Sequence, residues 1–440
     1  MKKIYLLTTV LFLLTAYSYA QQWQWAKYYS ASSGSTARDK ITKSAMDEDG
    51  NVYFLGRFWP LGEIDGERIF DATEFGTGTS GQIIAKIDVH GNLVWKKIIK
   101  FFNGYDNPQG PHWMQLKGDR LYVLGEVQVT GENYYSYIYY LDTMVNYRDF
   151  SNLPPEQWKP PFGKYGRMNC FIVFDLDGNV IDQHFLQYKR QNHYYVRPFT
   201  AGGSALFYVD RSENIYLFTL LEIDGADPSS YTYTVIDGEV RDTFYISDAG
   251  PYMTNYPTYK YVLYKFSPDF NLQWVKPYVM FTEDGAQTRI NLNEGNITDY
   301  PYGISGDDED NFYISGYIRT SYMLDSAYKY NYPIRYYFDS VHYGIVHDIA
   351  SAQDLPFLIK YDTAGNVKWN QQLHTKTTNT RPSAGQYFLG NTITEQHVFV
   401  LGTGSEFTHT GGDTIFMDAD MQIPLSRPNS NQRIRGFFVR

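Results

Sequence analysis

Along most of this chain apolar and polar positions alternate with period two, in runs that end at short clusters of Asp, Asn, Gly and Ser. Period two is the pattern of a strand, and such clusters reverse the chain because their backbones accept turn and left-handed conformations. The pattern repeats. "DEDGNVYFLG" (47–56) returns as "LKGDRLYVLG" (116–125), "VDRSENIYLF" (209–218), "GDDEDNFYIS" (306–315) and "TITEQHVFVL" (392–401), each a turn followed by a strand with an aligned aromatic: Tyr53, Tyr122, Tyr216, Tyr313 and Phe399. A second phrase follows after a variable gap. "IIAKIDVHGNLVWKKI" (83–98) returns as "FIVFDLDGNVIDQHF" (171–185), "VLYKFSPDFNLQWVKP" (262–277) and "FLIKYDTAGNVKWNQQ" (357–372), each reading strand, tight turn, strand. Trp95, Trp274 and Trp369 share a column that Asp182 breaks, and Phe270-Asn271 stands where the other copies have Gly-Asn.

With no helical periodicity between them, the two phrases predict about five repeats of four strands each: an all-β, β-propeller-like fold. The last residues, "RIRGFFVR" (433–440), match only the first strand of the second phrase, and "QQWQWAKYY" (21–29) matches the strand it lacks. The expectation is that the N-terminal strand, with Trp25 in the Trp column, completes the last repeat and removes two sheet edges.

Composition sharpens this picture. Aromatics are 18% and charged residues 20% of the 440 residues, so the chain has the apolar content to bury a large core. A net charge of -10 argues against a nucleic-acid partner, which rewards basic patches. The start, "MKKIYLLTTVLFLLTAYSYAQQ", has Lys2 and Lys3, a short apolar run and small residues at Ser18 and Ala20. It predicts a signal peptide over 1–20, a single repeat domain over 21–440, and an exported chain with no transmembrane segment once the leader is removed. Secreted, periplasmic and cell-surface destinations in a Gram-negative bacterium all fit. Cys170 is the only cysteine, so no intramolecular disulfide forms; in "CFIVFD" it reads as a buried small hydrophobe.

The two phrases resemble the secreted bacterial β-propeller-repeat (SBBP-type) proteins, whose members carry a "D-x-x-GN-x-Y-x-x-G" strand and an "F-I-x-K-Y-D-x-x-GN-x-x-W-x-K" hairpin. "DEDGNVYFLG", "IIAKIDVHGNLVWKK" and "FLIKYDTAGNVKW" carry the likeness. The resemblance implies the propeller architecture and export, and is nearly silent on activity. Many relatives carry a C-terminal sorting domain; this chain ends before one.

The uneven parts of the repeats are the gaps between the phrases, near 59–82, 128–170, 222–260, 319–356 and 403–435. They are rich in Tyr and Pro, several read as hairpins, and "IDGE" recurs in them at 64–67 and 236–239. Insertions at one position of a repeat gather on one face. Tyr134, Tyr135, Tyr137, Trp158, Tyr231, Tyr233, Tyr330, Tyr332 and Tyr336 are the candidate binding residues, because flat aromatic rings suit a glycan or a protein partner. The competing reading is that these rings only pack the insertions together.

No catalytic residue, cofactor site or metal site is assigned. Gly76, Gly78 and Gly81 match GxGxxG, but a strand follows instead of the helix a dinucleotide loop requires. The runs Asp47-Glu48-Asp49 and Asp307-Asp308-Glu309-Asp310 have ligands that suit calcium, but without EF-hand spacing; turn capping is the expectation. His342 and His347 do not form HExxH, and GxSxG is absent. The expected role is non-catalytic binding. The alternatives are a polysaccharide-acting glycoside hydrolase with a carboxylate pair in the propeller funnel, and a structural envelope component.

Overall fold

The computed structural model describes residues 29–30, 40–58, 63–64, 67–68, 81–101, 113–130, 137–140, 143–146, 165–190, 196–197, 205–223, 231–236, 239–245, 258–278, 303–319, 334–337, 343–346, 354–372, 374–375, 386–393, 398–404, 413–418, 421–425 and 437–439. The fold is all-β and propeller-like, with no helix among the described residues. The chain divides into two compact units, residues 1–100 and 101–440.

The first unit opens with β1 (Tyr29–Ser30), β2 (Lys40–Met46) and β3 (Val52–Phe58). A small hairpin follows, β4 (Glu63–Ile64) and β5 (Glu67–Arg68), and then β6 (Gly81–Ile87) and β7 (Leu93–Phe101). Strands β2, β3, β6 and β7 form an antiparallel sheet in sequence order. The second unit repeats this plan. Its first repeat has β8 (Trp113–Lys117), β9 (Arg120–Thr130), the hairpin β10 (Tyr137–Tyr140) and β11 (Thr143–Asn146), β12 (Tyr165–Asp175), β13 (Val180–Arg190) and a short β14 (Val196–Arg197). The next has β15 (Leu206–Val209), β16 (Ile215–Ile223), the hairpin β17 (Tyr231–Ile236) and β18 (Glu239–Tyr245), β19 (Thr258–Phe266) and β20 (Leu272–Tyr278). The fourth repeat has β21 (Gly303–Gly306), β22 (Phe312–Arg319), the hairpin β23 (Ile334–Tyr337) and β24 (Tyr343–Val346), β25 (Asp354–Tyr361), β26 (Val367–Gln372) and β27 (His374–Thr375). The last has β28 (Gln386–Ile393), β29 (Val398–Gly404), the hairpin β30 (Asp413–Asp418) and β31 (Met421–Leu425), and β32 (Phe437–Val439).

Four repeats are thus four-stranded antiparallel blades. The fifth presents three strands, β28-β29-β32, among the described residues. The final residues do pair as the first strand of the second phrase, Phe438 opposite Leu401. Of the N-terminal stretch expected to follow them only Tyr29 is described, in β1, where it pairs with Ile64; residues 21–28, including Trp25, lie outside the described residues, as do the leader at 1–20 and Trp158.

One expectation changes in detail. The second strand of each blade was expected to alternate, yet Leu121 to Gly125, Ile215 to Thr219 and Phe312 to Ser315 are buried without interruption. Blades that stack face to face bury both sides of their middle strands, so polar positions survive only where a hydrogen bond meets them. Packing across the second unit is aromatic: Phe171 meets Phe207 edge-on at 5.0 Å, Tyr216 meets Phe312 at 4.7 Å, and Phe312 stacks on Tyr361 at 5.1 Å. Cys170 is buried, as expected.

Adjacent inner strands are also tied by side chains. Trp113 Nε1 donates to Phe207 O at 3.0 Å. The Gln115 amide acts as an extra peptide group: it donates to Val209 O at 3.0 Å and accepts from Val209 N at 2.9 Å.

Candidate functional site

The two phrases build the scaffold on which any site must sit. Seven turns share one construction, at 47–51, 88–92, 175–179, 210–214, 267–271, 307–311 and 362–366. The first residue's N–H donates to the fifth residue's carbonyl, and the fourth residue's N–H donates to the first residue's carbonyl. The fourth residue has positive φ: Gly50 (82°), Gly91 (86°), Gly178 (83°) and Gly365 (72°), but also Glu213 (61°), Phe270 (55°) and Asp310 (60°). This is a type I turn closed by a left-handed residue, a compact way to join two antiparallel strands. The leading Asp locks it. Asp47 Oδ1 accepts from Asn51 N at 2.8 Å, and Oδ2 accepts from Asn51 Nδ2 at 2.8 Å. The same bonds recur at Asp88, Asp175, Asp210, Asp307 and Asp362. At Ser267 only the hydroxyl is present, and it accepts from Asn271 N at 3.1 Å.

In the first phrase the Asp also receives a tyrosine. Tyr53 donates to Asp47 at 3.1 Å, Tyr216 to Asp210 at 3.2 Å and Tyr313 to Asp307 at 3.1 Å. Across the blade a lysine lies over each tyrosine ring: Lys86 at 5.2 Å, Lys265 at 5.1 Å and Lys360 at 5.1 Å. On the outer strand Trp95, Trp274 and Trp369 meet the same tyrosines at 6.0, 6.1 and 5.7 Å. The registers place all three side by side, as in Tyr53↔Lys86↔Trp95. An Asp–Tyr–Lys–Trp row therefore crosses three blades. Sequence reasoning found its Tyr and Trp and missed the lysine and the Asp–Tyr bond. The signal was there in constant spacings, Asp47 to Tyr53 matching Asp210 to Tyr216 and Lys86 to Trp95 matching Lys265 to Trp274.

The second blade solves the problem differently. Its first turn is a two-residue reversal, Gly118-Asp119, between Lys117 and Arg120, without the leading Asp that receives the tyrosine in the other blades. Glu213 of the following blade supplies the carboxylate, accepting from Arg120 Nη1 at 3.0 Å and from the Tyr122 hydroxyl at 3.4 Å. The strand pairing of β12 with β13 is as regular as in the other blades, with Val173 opposite Asp182.

The electrostatics freeze these rows rather than poise them. Burial, then the carboxylate Asp210, pushes the Tyr216 hydroxyl well above its usual value. Burial, then Glu213, pushes Tyr122 up to about 12. Desolvation opposes charge on Asp307, but bonds from Lys360 and Asn311 outweigh it and hold the carboxyl below its usual value. In each acidic run the leading residue, Asp47 or Asp307, caps its turn; Asp307 also receives Lys360 at 2.9 Å, and Arg211 of the preceding repeat pairs with Asp308 and donates its backbone N–H to Asp310. Among the described residues no three His, Cys, Asp or Glu side chains converge as around a metal ion. Gly81 opens a strand, as expected, where a dinucleotide loop would require a helix, while Gly76, Gly78, His342 and His347 lie outside the described residues.

The insertions form the variable part. Every repeat carries a hairpin between its second and third strands. In both "IDGE" segments the outer residues pair, Ile64 with Glu67 and Ile236 with Glu239. By their first strand, β4 pairs with β1, β17 with β13 and β30 with β27, each a strand outside the hairpin's own blade. In β17 the alternate positions Thr234 and Ile236 are buried, and Thr234 Oγ1 bonds the Tyr264 hydroxyl at 2.7 Å. Of the nine candidate residues, Tyr137 falls in β10, Tyr231 and Tyr233 in β17, and Tyr336 in β23. Tyr231 and Tyr233 alternate with the buried positions. Tyr134, Tyr135, Tyr330 and Tyr332, like Trp158, lie outside the described residues.

No family model matches the chain, and no curated protein matches it. Among the described residues no helix is long and apolar enough to cross a membrane.

Proposed function

We propose that this chain is an exported, non-catalytic repeat protein that binds a glycan or protein partner along its inserted hairpins. One observation carries the reading: all five repeats insert a hairpin between the same two strands, while the phrases on either side stay nearly constant. Variation confined to one position of a repeat is what a binding face on a fixed scaffold requires. Hairpins held by backbone pairing to a neighbouring sheet are pre-organised, so their aromatic rings would lose little freedom on binding. Export rests on the "MKKIYLLTTVLFLLTAYSYA" leader and on the resemblance to secreted β-propeller-repeat proteins.

The test is thermal melting of the purified chain against a panel of polysaccharides, with and without calcium. A ligand that binds only the folded state raises the melting point by mass action. The expected result is a shift with at least one glycan, reduced when Tyr231 and Tyr233 are both changed to Ala while the unliganded melting point stays within a few degrees. A shift that survives those changes and the matching change at Tyr137 and Tyr336 rejects the hairpins as the site. Release of shorter saccharides in the shifted sample would favour the hydrolase instead.

A further inference from the structure

Two irregularities in the second phrase, Asp182 in the Trp column and Phe270 at a left-handed turn position, occupy one place in space. In the regular seam, Trp274 of the third repeat lies beneath the second-phrase turn of the fourth. A methyl group on Gly365 would fall 2.5 Å from Trp274 Cη2 and 3.2 Å from Lys276 Cδ. Lys276 lies over the Trp274 ring at 5.6 Å and bonds the Asn366 side chain. Thr363 O of the same turn accepts from Tyr216 and Lys265, both at 3.4 Å. The indole fills the seam, and the turn above it has room only for glycine.

In the preceding seam the indole is gone and the turn supplies the ring. Phe270 stacks on His184, which holds the position of Lys276, at 4.0 Å with the planes 4° apart. It also meets Phe171 of the second repeat at 5.1 Å and Phe266 of its own at 4.4 Å. Asp182 accepts a hydrogen bond from His184 Nε2 at 3.0 Å, which orients that imidazole. Phe270 is buried although its φ of 55° is one that side chains with a Cβ rarely adopt.

We infer that the Trp-column residue of one repeat and the left-handed turn residue of the next form a matched pair, Trp with Gly or Asp with Phe, so that each seam holds one large ring and the order of these repeats is keyed. The sequence repeats the first pairing elsewhere, with Trp95 followed by Gly178 in the next copy.

The experiment is a double-mutant cycle in the full chain, read as the urea midpoint: Asp182→Trp, Phe270→Gly and the two together, with Gly365→Phe, Trp274→Asp and their combination as the mirror set. Each single change is expected to lower the midpoint, by crowding two rings or by leaving none, and each double is expected to recover most of the summed loss. Doubles whose losses equal or exceed the sum overturn the pairing. Should Asp182→Trp alone fail to fold, the double is compared with Phe270→Gly: a higher midpoint for the double supports the key, and an equal or lower one overturns it.

Discussion

Asp210 shows how one side chain organises its surroundings. It is 2% exposed and accepts four hydrogen bonds, from Ser212 N, Asn214 N, Asn214 Nδ2 and the Tyr216 hydroxyl. Asp88 accepts the same backbone and amide bonds on the surface and has no tyrosine. Water replaces lost bonds at Asp88 and does not reach those at Asp210. Asp210→Ala is expected to lower unfolding free energy by about 2–4 kcal/mol in urea titration, and Asp88→Ala by clearly less. Equal losses at the two sites would mean that the tyrosine bond and burial contribute nothing. The sequence shows both residues as the same letter four before an Asn; the tyrosine six residues on and the burial separate them.

At the scale of the element, the turns decide. Gly365 has φ of 72° and sits against Trp274, whereas Gly118 has φ of 56° and nothing within 4 Å of where a Cβ would lie. Gly118→Ala carries only the left-handed penalty, about 1 kcal/mol. Gly365→Ala adds the overlap with the indole, for a total of about 2–4 kcal/mol. Thermal melting of the two variants side by side checks the difference. The strands between these turns were legible from their phrases because period and turn chemistry are local properties. Their two-sided burial was not, since it depends on which blade stacks above and which below.

At the scale of the molecule, the charge states of many rows add up to a pH profile. Asp47, Asp88, Asp175 and Asp307 have carboxyls held below the usual 3.8, the first three by their turn bonds and Asp307 by Lys360 and then its turn bonds. Their contribution is complete above that value and is lost as pH falls below it, because the unfolded state then binds more protons. Burial pushes Lys43 down from 10.5 to about 8. The unfolded chain binds the extra proton between those values, so stability rises as pH climbs through that window. Tyr122 is raised from 10.0 to about 12, so the folded chain holds its proton longer and stability falls as pH passes above 10. Urea midpoints are therefore expected to drop below pH 4, rise from pH 8 and fall again beyond pH 10. Lys43→Met should remove the rise and leave the final fall; a rise that persists in that variant assigns it to another group.

The sequence by itself determined the all-β class, the repeat, the turn positions, the aromatic columns and the places where hairpins are inserted. Each follows from residues close together in the chain: a left-handed Gly-Asn, an Asp that caps its own turn, an apolar run of strand length. Tertiary structure alone decided what lies between repeats. It turned the break at Asp182 and the odd Phe270 into one filled seam, gave Tyr122 a carboxylate from Glu213, and paired β17 with β13 rather than with its own blade. Those contacts join residues far apart in sequence, and packing chooses them by volume and by unmet hydrogen bonds, neither of which a local pattern records.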